Sequence, residues 1–297
     1  MTTTEAGGPM IGLTLLPGQA RDLDRLLALH GTACVAARSE GTRKVFFRAL
    51  IARLNGREGR DISVVAPPGD FDIPSHLLAP TRSGRGSLVN GLVFSMREDI
   101  EAIIVDPADK LEYPEIMKKA HFASRCGYRV FTGVEAENLE SALQIVTLGE
   151  SFEVNLIRGV ILLERFSRMT MANSNPATPE LVAALREYLG DHAQSARVFR
   201  EGGATSADDV IAIELHITRD TSVEISSVDV ILEKIRQTPV APDGADISLF
   251  EHAGALCASG LIDALSFLEL QRPDDLCLEG MRERIPGHVK NLAKGAV

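Results

Sequence analysis

The sequence predicts an α/β protein: a core sheet of mainly parallel strands flanked by helices, then a smaller, mostly helical lobe. Three observations predict it. Short apolar segments, Thr32–Ala36, Ile62–Val65, Ala102–Val105 and Arg129–Thr132, suit strands buried on both faces. Segments with helical spacing of apolar residues separate them. Prolines stop the apolar runs, Pro67 and Pro68 after the second and Pro107 after the third. Alternating strands and helices of this kind build layered α/β sheets.

Each element follows from its local pattern. Leu23, Leu26, Leu27 and Leu29 form one apolar face behind Pro17, which predicts a first helix over 17–30. The strand 32–36 comes next. Phe46, Phe47, Leu50, Ile51 and Leu54 point the helix 43–54 inward. After the strand 62–65, the Gly/Ser/Arg segment 81–86 reads as a surface loop, and 87–97 as a helix. The strand 102–105 precedes a helix over 114–124, the strand 129–132 and a helix over 139–148. A polar break, ANSNPATP at 172–179, ends this part. Beyond it lie a helix over 179–189, a weaker strand over 210–217, a helix over 228–237, a Pro/Gly/Asp loop at 239–246 and a helical pair, 247–258 and 263–270. Gly260 suits a helix C-cap and Asp263 an N-cap. The expected organisation is a flexible N-terminus at 1–13, a core at 14–171, a lobe at 172–271 and a tail at 272–297.

Composition narrows the function classes. The chain has 297 residues, 31 basic and 41 acidic side chains, and a formal net charge of −10. That balance argues against general nucleic-acid binding, which needs a basic face. No apolar run is long enough to cross a bilayer, and 1–10 lacks the pattern of a signal peptide, so direct membrane insertion and export are not expected. Four cysteines, Cys34, Cys126, Cys257 and Cys277, form no C-x-x-C pair, which suggests buried or semi-buried free thiols in a reducing compartment. The histidines show no zinc spacing, so no metal site is expected.

Ligands of open α/β sheets bind at the carboxyl ends of the strands. After the strand 32–36 the chain reads Ala37-Arg38-Ser39-Glu40-Gly41-Thr42-Arg43-Lys44 and enters a helix. A phosphate loop belongs at this place, with glycines for close backbone approach, a lysine for the phosphates and a hydroxyl for magnesium. Here Ala37 and Thr42 stand for the glycines, Arg43 for the lysine and Lys44 for the hydroxyl residue, and Glu40 adds a negative charge. Asp106, after the strand 102–105, is the better placed of the carboxylates Asp106 and Asp109. Asp70 and Asp72 follow Pro67-Pro68 in the same way. In polar turns such aspartates also serve as turn formers and caps. His121 has no Ser or Cys partner in the sequence and reads as a half-buried surface residue.

Taken in order, these segments resemble the C-terminal RecA-like ATPase domain of the secretion ATPases of type II secretion and type IV pilus assembly, the secretion protein E family. The resemblance spans about 14–270. Asp61–Pro74 is similar to the family's acidic Asp box, with Ala66 and Pro67 at its Glu-Asp pair and Asp70 keeping its last acid. Val93–Val105 resembles the helix and strand of the Walker B region, where Arg97, Asp99, Ile103 and Val105 match, Asp106 stands at the glycine and Pro107 at the glutamate. Gly127–Asn138 resembles the His box, with Glu135 at the histidine. Asn138–Gly149 is similar to the helix after that box, Gly159–Arg168 to the following strand, and Ala245–Leu268 to the C-terminal helical pair. The family's four-cysteine zinc element and the N-terminal domains that precede its core are not expected here.

The resemblance implies a RecA-like core whose catalytic motifs are degenerate. The expected role is a catalytically inactive homologue, a regulatory or scaffolding subunit of a pilus or secretion machine. Its expected partners are an active ATPase or a membrane platform protein, or copies of itself in a homo-oligomer. Its expected place is the cytoplasm, peripheral to the inner membrane through those partners. No catalytic residue, metal or cofactor is expected. The alternative is a divergent ATPase that powers pilus assembly or type II secretion. ATP and magnesium would then sit among Ala37, Gly41, Thr42, Arg43, Lys44, Asp70 and Asp106.

Overall fold

In the computed structural model, which describes residues 15–55, 62–71, 77–79, 87–97, 100–107, 109–147, 156–167, 177, 179–189, 209–217, 248–268 and 270, fourteen strands and helices form three layers. The elements are α1 (Pro17–Ala28), β1 (Gly31–Ala37), α2 (Glu40–Asn55), β2 (Ile62–Val65), α3 (Ser87–Ser95), β3 (Ala102–Val105), α4 (Tyr113–Arg125), β4 (Arg129–Glu135), α5 (Leu139–Thr147), β5 (Ile157–Ser167), α6 (Pro179–Leu189), β6 (Asp209–Ile217), α7 (Leu249–Ala258) and α8 (Ala264–Leu268). One six-stranded sheet runs β2-β3-β4-β1-β5-β6, parallel except for β6, which pairs antiparallel with β5.

The apolar runs become strands because both sheet faces are covered. Along β3, Ile104 packs on one side with Phe46, Phe47 and Leu50 of α2, while Ile103 and Val105 pack on the other with Leu92 of α3 and Ile116 of α4. Along β1, Val35 and Ala37 face the α1–α2 layer, and Cys34 and Ala36 face α4 and α5. Every residue of β1 is buried. Full burial on alternating faces is why these strands carry no polar alternation.

The C-terminal segment departs from expectation in one respect. The strand expected within a separate lobe is β6, the sixth strand of the core sheet, with Leu163 opposite Ile213. Its Val210 and Ala212 face α6, α7 and α8, and its Ile211, Ile213 and Leu215 face the α1–α2 layer. The described helices after residue 171 therefore extend the α3–α5 layer over the β5–β6 end of the sheet. Their local signals hold. Ser248 Oγ accepts the Glu251 amide at 3.1 Å while Glu251 Oε2 accepts the Ser248 amide at 2.8 Å, a reciprocal capping box. Gly260, at φ 71°, closes α7 through bonds from its amide and that of Leu261 to Cys257 O and Leu256 O. Asp263 Oδ1 accepts the Ser266 amide at the start of α8.

Other differences are smaller. α1 ends at Ala28, so Leu29 adopts extended angles and is exposed, while Leu15 and Leu16 supply buried contacts before the helix. β4 continues to Glu135 because its added residues pair with β1 as far as Ala37. His121 is buried in the core: its Nε2 meets Val146 O at 3.1 Å and its Nδ1 meets Thr32 Oγ1 at 3.4 Å. The expectations for 1–13, 81–86, 228–237, 239–246 and 272–297 lie outside the described residues, as do Asp72 and Cys277.

The outer edge of β6 is closed by side chains. Gln19 Nε2 donates to Ile213 O at 2.6 Å, and the Ile213 amide donates to His252 Nδ1 at 2.9 Å. Satisfying both backbone groups in mid-strand blocks further strand pairing there.

Candidate functional site

The loop after β1 is much shorter than the sequence suggests. α2 begins at Glu40, three residues earlier than the helix expected from 43, so only Arg38 and Ser39 lie between strand and helix. Gly41, Thr42, Arg43 and Lys44 are thus already helical. The reason is local: Ser39 Oγ accepts the Thr42 amide at 3.3 Å and meets Thr42 Oγ1 at 2.9 Å. An N-cap serine of this kind takes the free amide that an anion would otherwise satisfy.

Arg43 and Lys44 then turn onto carboxylates, Asp106 and Asp70 of the neighbouring loops and Glu40 of α2 itself. Arg43 is buried, and its Nε donates to Asp106 Oδ1 at 2.9 Å. Its Nη2 reaches Pro107 O at 3.4 Å. Lys44 Nζ lies 2.6 Å from Glu40 Oε1 and 2.9 Å from Asp70 Oδ1. Four of the sequence-predicted positions, Arg43, Lys44, Asp70 and Asp106, are therefore brought together as two ion-pair sets. Ala37 lies in the sheet, its carbonyl accepting the Ala136 amide at 3.1 Å. Gly41 is exposed beside the Arg165 guanidinium. Asp109 caps the turn at 110–112, accepting the Leu111 amide at 2.9 Å, as a turn-forming aspartate does.

Sheet order explains how Arg43 reaches Asp106. The strands run β3-β4-β1, so a side chain from the helix after β1 must cross β4 to meet a residue at the end of β3. It crosses at Gly133. A Cβ there would overlap Asp106 Oδ1, lie 3.0 Å from Arg43 Nε and 3.1 Å from the Phe47 ring. Gly133 is a site residue that sequence reasoning missed, and its signal was an isolated glycine inside a strand pattern. Tyr113 was missed as well: its Oη accepts the Glu135 amide at 3.0 Å and ties the start of α4 to the end of β4. Glu135 itself pairs with exposed Lys110 at 2.8 Å.

Electrostatics follow from burial. Desolvation holds the Asp106 carboxyl above the usual carboxylate value, and the Arg43 guanidinium offsets part of that rise. Burial alone would lower Lys44, but its bonds to Glu40 and Asp70 outweigh it and raise the ammonium. Burial pushes the Cys34 thiol up despite nearby Arg43, and raises Cys257 to about 12. We therefore expect a thiol reagent at neutral pH to label exposed Cys126 in the native protein. Cys34 and Cys257 should react only on unfolding, as peptide mapping would read directly.

The α2 amide is capped from within, both cations are paired, and Glu40 sits in the first helical turn. Among the described residues no three His, Cys, Asp or Glu groups come together to hold a metal ion. No helix of the described chain is long and apolar enough to cross a membrane.

The three layers and the six-stranded, mostly parallel sheet match the RecA-like fold of the solved ATPase structures to which the chain is similar. Among solved structures, the chain is similar to the Legionella pneumophila ATPase DotB, at TM-score 0.53 and 12% identity over 88% of this chain and 63% of that one. It is similar to the Yersinia pseudotuberculosis ATPase DotB at TM-score 0.52 and 12% identity, over 83% of this chain and 59% of that one. It is also similar to the pilus retraction motor PilT with bound ADP at TM-score 0.60 and 15% identity, over 94% of this chain and 71% of that one. The likeness is one of fold, and the chain spans about three-fifths of the length of the two DotB structures. No family model and no curated protein matches the sequence.

Proposed function

We propose that this chain is a non-hydrolysing counterpart of the secretion and pilus ATPases, a regulatory or scaffolding subunit that works through protein contacts. Its partner is an active ATPase of that kind or the membrane platform protein such an ATPase serves, and its place is the cytoplasmic side of the inner membrane. One observation carries the reading: the side chains at the phosphate-loop and acidic-motif positions neutralise one another, Arg43 with Asp106 and Lys44 with Glu40 and Asp70. In a working site such cations face phosphate, and a carboxylate faces metal or water. Here α2 also starts too early to leave a backbone cradle.

The test has two arms. With magnesium and ATP, phosphate release should equal the blank, and neither ATP nor ADP at millimolar concentration should raise the melting temperature, because a ligand of the native state must raise it. Light scattering should show the chain co-eluting with the active ATPase of its own system. Micromolar nucleotide binding by calorimetry, or turnover abolished by Asp106→Ala, would overturn the reading in favour of a divergent ATPase.

A further inference from the structure

Helices that lead into parallel strands end at the amino edge of the sheet, so the ends of α1, α3 and α4 lie there with the starts of β1, β3, β4 and β5. Hydrogen bonds make this edge one continuous surface. Tyr128 Oη donates to Met96 O at 2.8 Å, His30 Nδ1 meets Gly127 O at 2.8 Å, and Arg158 Nε donates to His30 O at 2.5 Å. Four large hydrophobic side chains are exposed among the described residues, and three of them stand on or within a turn of this edge: Leu29, Phe94 and Phe122, at 37%, 43% and 52%.

The charges around them are mainly basic. Arg97 and Arg125 are exposed and Arg158 is half-buried. Lys118 and Lys119 lie one turn up α4, with Lys119 Nζ 6.0 Å from the Phe122 ring centroid. The acids described near this edge are bound: Glu101 by Arg129, Asp22 and Asp24 of α1 by Arg25 and Arg53, and Glu214 of β6 by His216. Glu98, Asp99 and Glu153 lie outside the described residues. The opposite edge, at the starts of α4 and α5, is acidic. Asp109, Glu115, Glu137 and Glu140 are exposed there, and its Lys110 is bound to Glu135.

Helix dipoles account for acids at helix starts and bases at helix ends. They do not account for apolar side chains held in water among the bases. A protein partner's patch gathers its apolar side chains in a packed centre. Here they stand singly at three helix ends with cations among them, which suits a surface that has no fixed shape of its own. A bilayer is such a surface: its headgroup region takes in Phe and Leu side chains, and its anionic lipids attract Arg and Lys.

We propose that the amino edge of the sheet docks directly on an anionic phospholipid bilayer, with Leu29, Phe94 and Phe122 entering the headgroup region and the arginines meeting lipid phosphates. The acidic edge, with the loop after β1, then faces away from the membrane. This adds a lipid contact to the place proposed above, and it is tested without nucleotide or partner, so it stands or fails apart from that reading.

The test is co-sedimentation of the full chain with vesicles of phosphatidylglycerol and phosphatidylcholine in equal parts. Wild type should bind these and not vesicles of phosphatidylcholine alone. Its association should weaken about tenfold or more between about 50 and 500 mM salt, as the charges are screened. Arg125→Glu and Phe122→Ser should each weaken it by about tenfold, one through charge and the other through insertion. Both positions are exposed, so each variant should melt within about 2 °C of wild type. Leu111→Ser, at the opposite edge, should bind as wild type does. A wild type that ignores anionic vesicles at low salt would overturn the proposal. So would binding left intact by both Arg125→Glu and Phe122→Ser, or lost equally in Leu111→Ser. Retention on immobilised polyglutamate without vesicle binding would overturn it by assigning the edge to an acidic protein.

Discussion

Asp106→Ala is expected to destabilise the fold by about 3–5 kcal/mol, the usual cost of removing one partner from a buried ion pair. Arg43 and Asp106 are almost wholly buried, with side chains 2% and 1% exposed. Removing the carboxylate leaves a guanidinium in the core whose Nη1 already lacks a hydrogen-bond partner. Its remaining contact is the long bond to Pro107 O. Much of the loss is therefore the penalty of an uncompensated charge rather than the worth of the pair. Removing both charges separates the two: Arg43→Met with Asp106→Val should fall within about 1.5 kcal/mol of wild type, because an apolar replacement of a buried pair is often close to neutral. Urea unfolding of the two single variants and the double variant measures this. A double variant as unstable as Asp106→Ala would show that the pair contributes more than mutual neutralisation.

The sheet was largely legible because its strands announce themselves. Ile62–Val65 and Ala102–Val105 have the expected bounds, since prolines stop them on the C-terminal side and burial on both faces demands unbroken apolar residues. β6 was harder to place. Its sequence DVIAIELHI alternates weakly, and only its pairing with β5 shows that it belongs to the core sheet. The site was legible in its parts and not in its relations. Arg43, Lys44, Asp70 and Asp106 could each be named from motif positions, but which cation meets which carboxylate depends on sheet order. That order is set by non-local packing. Glu40 showed as a negative charge against phosphate, while its bond to Lys44 depends on α2 starting at residue 40. That start depends on Ser39 acting as its cap, a role a flexible loop would not have given it.

Gly133→Ala should have the second large effect, and it tests the geometry of the site more sharply than any charged position. The glycine has no unusual backbone angle to protect; its role is to leave room. An added methyl meets Asp106 Oδ1, Arg43 Nε and the Phe47 ring together. None of the three yields easily. Asp106 is held by Arg43 and by the bond from its amide to Val65 O, and Phe47 lies fully buried beside Phe46 and Phe71. Overpacking of this kind costs about 1–3 kcal/mol, and the strain falls on the ion pair first. The coupling has a definite sign. With Asp106→Ala the carboxylate that the methyl strikes is gone, so the double variant should be more stable than the sum of the single losses by about 1 kcal/mol or more. Val134, the next residue of β4, faces the other side of the sheet against α4 and α5, so Val134→Ala should add to Asp106→Ala without coupling. Denaturant titrations of the two cycles give both numbers. Simple additivity at Gly133 would mean that Arg43 and Asp106 do not cross β4 where the glycine stands.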